Sequence, residues 1–490
     1  MRATSAGLMV LCALTSATAS RAATPQGGEF RTVSFSARDG LEITADLYAG
    51  ASQAAPTVLL FHQSSSSRGE FRVTGQRLAS LGFNALAVDL RWGLRRDGVT
   101  NETAARHGTP ALMEAVEAGT ASPWPTIDAA YQDMRAARRW LGRQGFSGPV
   151  FALGSSASAM LVVRMGAEAL VDGVIAYSPG EYDDDRPHLV RDWAGQLTVP
   201  FYAVAAPDED DLVAPIVAAA PERPRAVYFK ASDGRHGASI LDVGDRNWLD
   251  LASTLSTWTG GLPIGTEFTI STATNVELIA DRYDLADPRA TILLFHQGGG
   301  SARGEYGFLI PHLLARNYAV VAVDLYGGGD RFGRPNRTLR GSSPPDDFGY
   351  CDAGSQIRSV INHVGESTNR PMVLWGSSYT AALVVRETAR DAVGVAATLA
   401  FSPASGEPLA DCIPEEVADE LTVPVLTIRP ESEAAMESVA TQIEAFRAAG
   451  VATYVAPGAH GSSLLNPARS PEGRTAQDYV FDFLERFVSR

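Results

Sequence analysis

Two serines, two acidic turns and two histidines recur along this chain in one order, and acyl-transfer chemistry requires those three residue types. Ser156 ends Val150-Phe151-Ala152-Leu153-Gly154-Ser155-Ser156, and Ser378 ends Met372-Val373-Leu374-Trp375-Gly376-Ser377-Ser378. Each is an apolar run that turns at a glycine and opens onto a helix-forming stretch. A serine on such a strand-to-helix turn is exposed at the sheet end, where the helix amino terminus directs backbone N–H groups at it. Its hydroxyl attacks well only when a base removes the proton. After Ser378 the chain holds one histidine, His460, in Pro457-Gly458-Ala459-His460-Gly461. The first half offers His188 and His236, and only His236, in Gly234-Arg235-His236-Gly237, shares that glycine-bearing context. His188 reads as a surface loop residue.

A carboxylate must hold the imidazole in the correct tautomer and stabilise its cation. It is expected after the stretches that begin Thr198-Val199-Pro200 and Thr422-Val423-Pro424. Setting Pro207 opposite Pro430 places Asp210 opposite Glu433, with Asp208 and Asp211 as competitors in the same acidic turn. The expected constellations are therefore Ser156, Asp210 and His236 in the first half, and Ser378, Glu433 and His460 in the second.

These residues sit in a duplicated chain. Leu59-Leu60-Phe61-His62-Gln63 returns as Leu293-Leu294-Phe295-His296-Gln297, Arg68-Gly69-Glu70 as Arg303-Gly304-Glu305, and Ala87-Val88-Asp89-Leu90 as Ala322-Val323-Asp324-Leu325. The offset is 234 residues at His62 and 222 at Ser156, so the repeat is a whole domain rather than a solenoid unit. With 490 residues, 45% of them hydrophobic, each half can bury a full core. The runs Thr57 to Phe61, Ala85 to Val88, Val150 to Leu153, Val174 to Tyr177 and Phe201 to Ala205 are apolar with little alternation, as strands of a parallel sheet covered on both faces are. Helix-period stretches at Thr74 to Ser80, Asp128 to Gly142 and Ala157 to Ala169 separate them. Alternating stretches around Asp39-Gly40, and again at Phe268 to Ser271 and Val276 to Tyr283, predict a hairpin ahead of each sheet. Gly260-Gly261-Leu262-Pro263 breaks the chain between halves, giving domains 28–260 and 264–490.

The elbow, the order serine, acid, histidine, and the strand ending in His-Gln resemble the α/β-hydrolase superfamily, and within it dienelactone-hydrolase-like and esterase-like members. The resemblance covers nearly all of both halves. It implies an α/β fold class: two tandem α/β-hydrolase domains, each a mostly parallel central sheet with an amino-terminal hairpin and helices on both faces. It also implies an oxyanion hole of two backbone N–H groups, one from Ala157 or Tyr379 and one from Gln63 or Ser64, Gln297 or Gly298. Dienelactone hydrolase itself uses cysteine where this chain has serine, which favours general carboxylic esters. Glu70 and Glu305 are expected either to line the pocket or to sit in the first turn of a helix. His62 and His296 precede the nucleophiles and are expected to be structural. The same triad serves peptidases, thioesterases and acyltransferases, and a binding protein on an inactivated scaffold is the alternative outside enzymes.

Net charge of −15, with Lys230 the only lysine, argues against a nucleic-acid surface. The expected partner is a small or polymer-linked ester. No metal or nucleotide motif is present, and no cofactor is expected. Residues 1–23 read as a secretory signal, with Arg2, an apolar run and Ala17-Thr18-Ala19 at its end, so export to the periplasm or beyond is expected. Cys351 and Cys412 are then free to pair or to remain buried thiols. Asn101-Glu102-Thr103 and Asn336-Arg337-Thr338 match a glycosylation sequon, but their equivalence favours an inherited loop-shaping role.

Overall fold

The computed structural model describes residues 30–108, 115, 118–120, 124–183, 185–222, 226–232, 234–407 and 409–488. The expected signal at 1–23 lies outside them. In the first half the strands are β1 Phe30–Ser36, β2 Glu42–Tyr48, β3 Thr57–Phe61, β4 Asn84–Val88, β5 Val150–Ser155, β6 Gly173–Tyr177, β7 Phe201–Ala205 and β8 Val227–Lys230. In the second they are β9 Thr266–Ser271, β10 Glu277–Tyr283, β11 Thr291–Phe295, β12 Ala319–Val323, β13 Met372–Ser377, β14 Val395–Phe401, β15 Val425–Pro430 and β16 Ala452–Ala456.

Each half forms one eight-stranded sheet, in the orders β1-β2-β4-β3-β5-β6-β7-β8 and β9-β10-β12-β11-β13-β14-β15-β16, and the first half adds a two-stranded antiparallel ribbon of Arg95–Arg96 with Val99–Thr100. Within each large sheet the hairpin pairs antiparallel and so does its junction with β4 or β12, while the remaining pairings are parallel. This is the tandem α/β arrangement expected from the sequence, two mostly parallel sheets each with an amino-terminal hairpin. Strands β3, β4, β5, β6 and β7 are buried along their whole length, because helices cover both faces. The edge strands β8 and β16 did not stand out in the sequence; they are half-exposed and too short to show a pattern.

The helices that matter to the site are α1 Arg72–Ser80, α2 Ala157–Ala167, α3 Gly244–Thr259, α4 Ile310–Ala315, α5 Tyr379–Arg390 and α6 Gly473–Phe487. Helices α2 and α5 follow β5 and β13 directly and present the two elbows.

Among the described residues, one of four hydrophobic clusters spans the two halves. A single cluster runs from Leu60, Leu153 and Tyr177 through Leu251 and Leu255 of α3 to Leu309, Leu313, Trp375 and Leu484. Arg474 of α6 bonds Asp250 of α3 at 2.7 Å and lies over the Phe229 ring of β8. The Gly260-Gly261 junction is itself packed: Gly260 ends α3 in the left-handed region, and a side chain at Gly261 would collide with the Tyr283 hydroxyl.

Candidate active site

Both elbows hold their serine at a left-handed backbone angle, φ 56° for Ser156 and 62° for Ser378. A non-glycine residue there is strained and is kept only where its surroundings enforce it. The enforcement is local. Ser156 N–H donates to Tyr177 O and Ser378 N–H to Phe401 O, which ties each turn to the next strand. A Cβ on Gly154 or Gly376 would lie 2.4 Å from the carbonyl of Ser158 or Thr380, so only glycine lets the helix start this close. Ser158 and Thr380 occupy the place where the common elbow pattern has its last glycine. Their hydroxyls accept the Ser155 and Ser377 N–H at 2.8 Å and donate to Phe61 O and Phe295 O, which fastens the elbow to the neighbouring strand.

In the first half His236 reaches back over the strand ends, with its Nε2 2.6 Å from Ser156 Oγ. Its Nδ1 faces Glu209 Oε1. With the Nδ1 proton directed at the carboxylate, Nε2 is left to accept the serine proton. Asp210, expected to be the acid, does not reach the histidine. It begins the helix that follows the turn and accepts instead from the Tyr228 hydroxyl and from Lys230 Nζ at 3.4 Å. Its competitors Asp208 and Asp211 are exposed. Glu209 and Glu433 each stand nine positions after the shared Val-Pro and 27 before their histidine. Setting Pro207 against Pro430 introduced a slip of one residue. A glutamate therefore faces the histidine in both halves.

Glu209 is pulled up by burial, but hydrogen bonds from Ser178 and His236 outweigh this and hold it below the usual glutamate value. Glu433 behaves likewise, with His460 as the main stabilising contact. Ser178 and Ser402, which the sequence analysis passed over, also accept the N–H of Gly237 and Gly461, fixing the histidine loop. The signal was present: each serine follows a buried strand within a repeated Ser-Pro pair.

The second site differs in detail. Glu433 Oε1 faces His460 Nδ1, but among the described residues no hydrogen bond joins His460 to Ser378. Tyr379 follows the serine where the first half has Ala157, and its ring lies 4.5 Å from that of Tyr350. The Tyr350 hydroxyl approaches within 2.8 Å of the position a Cβ on Gly298 would take. In the first half Tyr182 Oη lies 3.4 Å from Ser156 Oγ. The surroundings of the two serines are thus built from different tyrosines.

Four oxyanion candidates came from the loop after β3 or β11. The N–H of Gln63 donates to Glu70 Oε2 at 3.0 Å, and that of Gln297 to Glu305 Oε2 at 2.7 Å. Neither is available to a substrate, so both residues are removed from the oxyanion set. Ser64 and Gly298 remain beside Ala157 and Tyr379. Glu70 and Glu305 are buried in the first turn of a short helix, the second of the two expected placements, and from there they brace the loop. Glu70 also accepts from Ser155 Oγ, which in turn accepts from Ala238 N–H, so one carboxylate ties oxyanion loop, elbow and histidine loop together.

His62 and His296 are fully buried and structural in geometry. Each directs Nδ1 at a glutamine carbonyl and accepts the N–H of Leu90 or Leu325 at Nε2. Asn101 and Asn336 bond the same histidines and the carbonyls of Leu90 and Leu325. They are buried and shape the loop after β4 and β12. Among the described residues no group of three or more His, Cys, Asp or Glu side chains could hold a metal ion, and no helix is long and apolar enough to cross a membrane.

No protein-family model matches the chain, and no curated protein matches it. Among solved structures it is similar to an esterase of Pyrococcus furiosus, at 16% identity and a TM-score of 0.36, covering 46% of this chain and 91% of that one. A thermostable carboxyl esterase of Bacillus coagulans aligns at 12% identity and a TM-score of 0.38, covering 46% and 99%. An acylaminoacyl peptidase of Pyrococcus horikoshii aligns at 16% and 0.34, covering 46% and 42%.

Proposed function

We propose that this protein is a serine hydrolase of carboxylic esters with one active site in each half. The observation that carries the reading is the relay Ser156, His236, Glu209: a strained serine hydroxyl 2.6 Å from an imidazole whose other nitrogen faces a glutamate. In the first half His236 takes the Ser156 proton as the oxygen attacks the acyl carbon, and Glu209 stabilises the cation formed. The oxyanion is received by the N–H groups of Ala157 and Ser64. His236 then protonates the leaving alcohol, and water repeats the sequence on the acyl-enzyme. Ser378, His460 and Glu433 perform the same steps in the second half, with Tyr379 and Gly298 as oxyanion donors. Both histidine side chains are close to half exposed, 46% and 45%, which suits small soluble esters or esters carried on a polymer.

The Cys351–Cys412 disulfide and the leader-like start support export to an oxidising compartment. The direct test is hydrolysis of a panel of short esters, thioesters and amides by the wild type and by the Ser156→Ala/Ser378→Ala protein. Ester turnover is expected to fall by several orders of magnitude in the double variant. Unchanged turnover, or turnover of amides alone, would refute the reading.

A further inference from the structure

We infer that Arg429 is a positioning residue that sets the second site to work in more acidic solution than the first. The inference rests on the hydrolase reading above.

Arg429 lies on β15, four residues before Glu433, and only 5% of its side chain is exposed. Its Nη1 lies 3.0 Å from Glu433 Oε2, while Oε1 of the same carboxylate faces His460. The guanidinium is held from its other side by Pro403 O and Gln442 Oε1, and Gln442 Nε2 bonds Glu415 Oε2 at 2.7 Å. The cation is therefore fixed in place. In the first half the residue four before Glu209 is Ala205, buried in β7, and it brings no charge.

The groups facing each carboxylate differ accordingly. Glu433 meets His460 from the histidine loop, Ser402 from the end of β14 and Arg429 from β15. Glu209 meets His236 and Ser178 from the corresponding places, with the phenols of Tyr182 and Tyr228 nearby; its far oxygen, Oε2, accepts the neutral N–H of Ala206 at 3.1 Å, so among the described residues a dipole rather than a cation stands in the position of Arg429. A triad carboxylate favours the imidazolium because it is negative. A permanent cation on its far oxygen offsets part of that charge, so the neutral, proton-accepting imidazole persists to lower pH. The charge acts across one carboxylate on a half-exposed imidazole, where solvent screens it, so a displacement of the acid limb on the order of one pH unit is expected. Arg429 also locks the glutamate rotamer, which alone would change the rate and leave its pH dependence in place.

The experiment separates the sites genetically. The Ser156→Ala protein reports the second site and the Ser378→Ala protein the first, each first checked for covalent labelling by a fluorophosphonate. The acid limb of kcat/KM is expected about one unit lower for the second site. Adding Arg429→Met to the Ser156→Ala protein is expected to raise that limb by about one unit, and Arg429→Lys to keep it low. If both sites label and their acid limbs coincide, or if Arg429→Met changes only the amplitude, the role assigned to Arg429 is wrong and the hydrolase reading stands. Should Arg429→Met not fold, the comparison of the two native sites still decides. Absence of labelling at Ser378 overturns both this inference and the hydrolase reading of the second half.

Discussion

The residue that most distinguishes structure from sequence is Glu209. Asp210 adjoins it, but its side chain is directed at Tyr228 and Lys230, so the two carboxylates are expected to behave differently. In the Ser378→Ala background, Glu209→Gln is expected to lower kcat about 10³- to 10⁴-fold, as loss of a triad acid does, while Asp210→Asn stays within about twofold. The opposite result would restore Asp210 as the acid. The serines and histidines were legible because each is marked by a glycine or by elimination. The acid was not, because it lies in a run of four consecutive acidic residues, Asp208 to Asp211, where a one-residue error in alignment changes the assignment. Gln63 and Gln297 misled for another reason: a backbone N–H shows no sign in sequence of which acceptor it meets.

At the scale of elements, the repeated motifs prove to be the parts that hold the loops around the two serines. Asp89 accepts the N–H of Arg68 and of Glu102, and Asp324 that of Ala302 and of Arg337, so the loops after β3 and β4, and after β11 and β12, are pinned to one buried carboxylate. Gly237 and Gly461 follow the histidines at φ 73° and 64°, and a Cβ would lie 2.5 Å and 2.4 Å from Ser155 and Ser377 Oγ. Gly237→Ala should therefore displace His236 and lower first-site kcat by about 10²-fold, since a shift near 1 Å costs that much. A normal rate with retained φ strain would show the loop is looser than described. The Cys351–Cys412 bridge joins the turn carrying Tyr350, beside Gly298, to the segment after β14. Reduction should cost about 2 to 4 kcal/mol and depress the second site more than the first, read by denaturant titration and by the two single-serine proteins. That pairing was open in the sequence because two cysteines 61 residues apart give no geometry.

Across the whole molecule, one apolar cluster spans both halves, and two histidines are deeply buried within the fold. Burial pushes His62 down to about 4 and His312, on α4 and stacked on Phe481 of α6, down to about 3. Both stay neutral in the folded protein while an unfolded histidine takes a proton near its ordinary value of about 6.5. The unfolded state then binds more protons, so the stability contribution is complete above about 6.5 and is lost as pH falls towards 4 and then 3. His312→Leu should remove about one proton's share of that slope, roughly 1.4 kcal/mol per pH unit, when unfolding free energies at pH 7 and 5 are compared. An unchanged slope would mean that His312 takes its proton in the folded state as well. The tight junction could not be read from Gly260-Gly261, since a glycine pair marks a break in helix or strand without saying whether other side chains pack over it. What the sequence did announce was the duplication, and the claim that rests on it is that two nucleophiles occupy one chain. Intact-mass analysis after fluorophosphonate treatment tests it most directly: two adducts on the wild type, one on Ser156→Ala, one on Ser378→Ala and none on the double variant are expected. A single adduct on the wild type, lost entirely on removal of one serine from a folded protein, would contradict it.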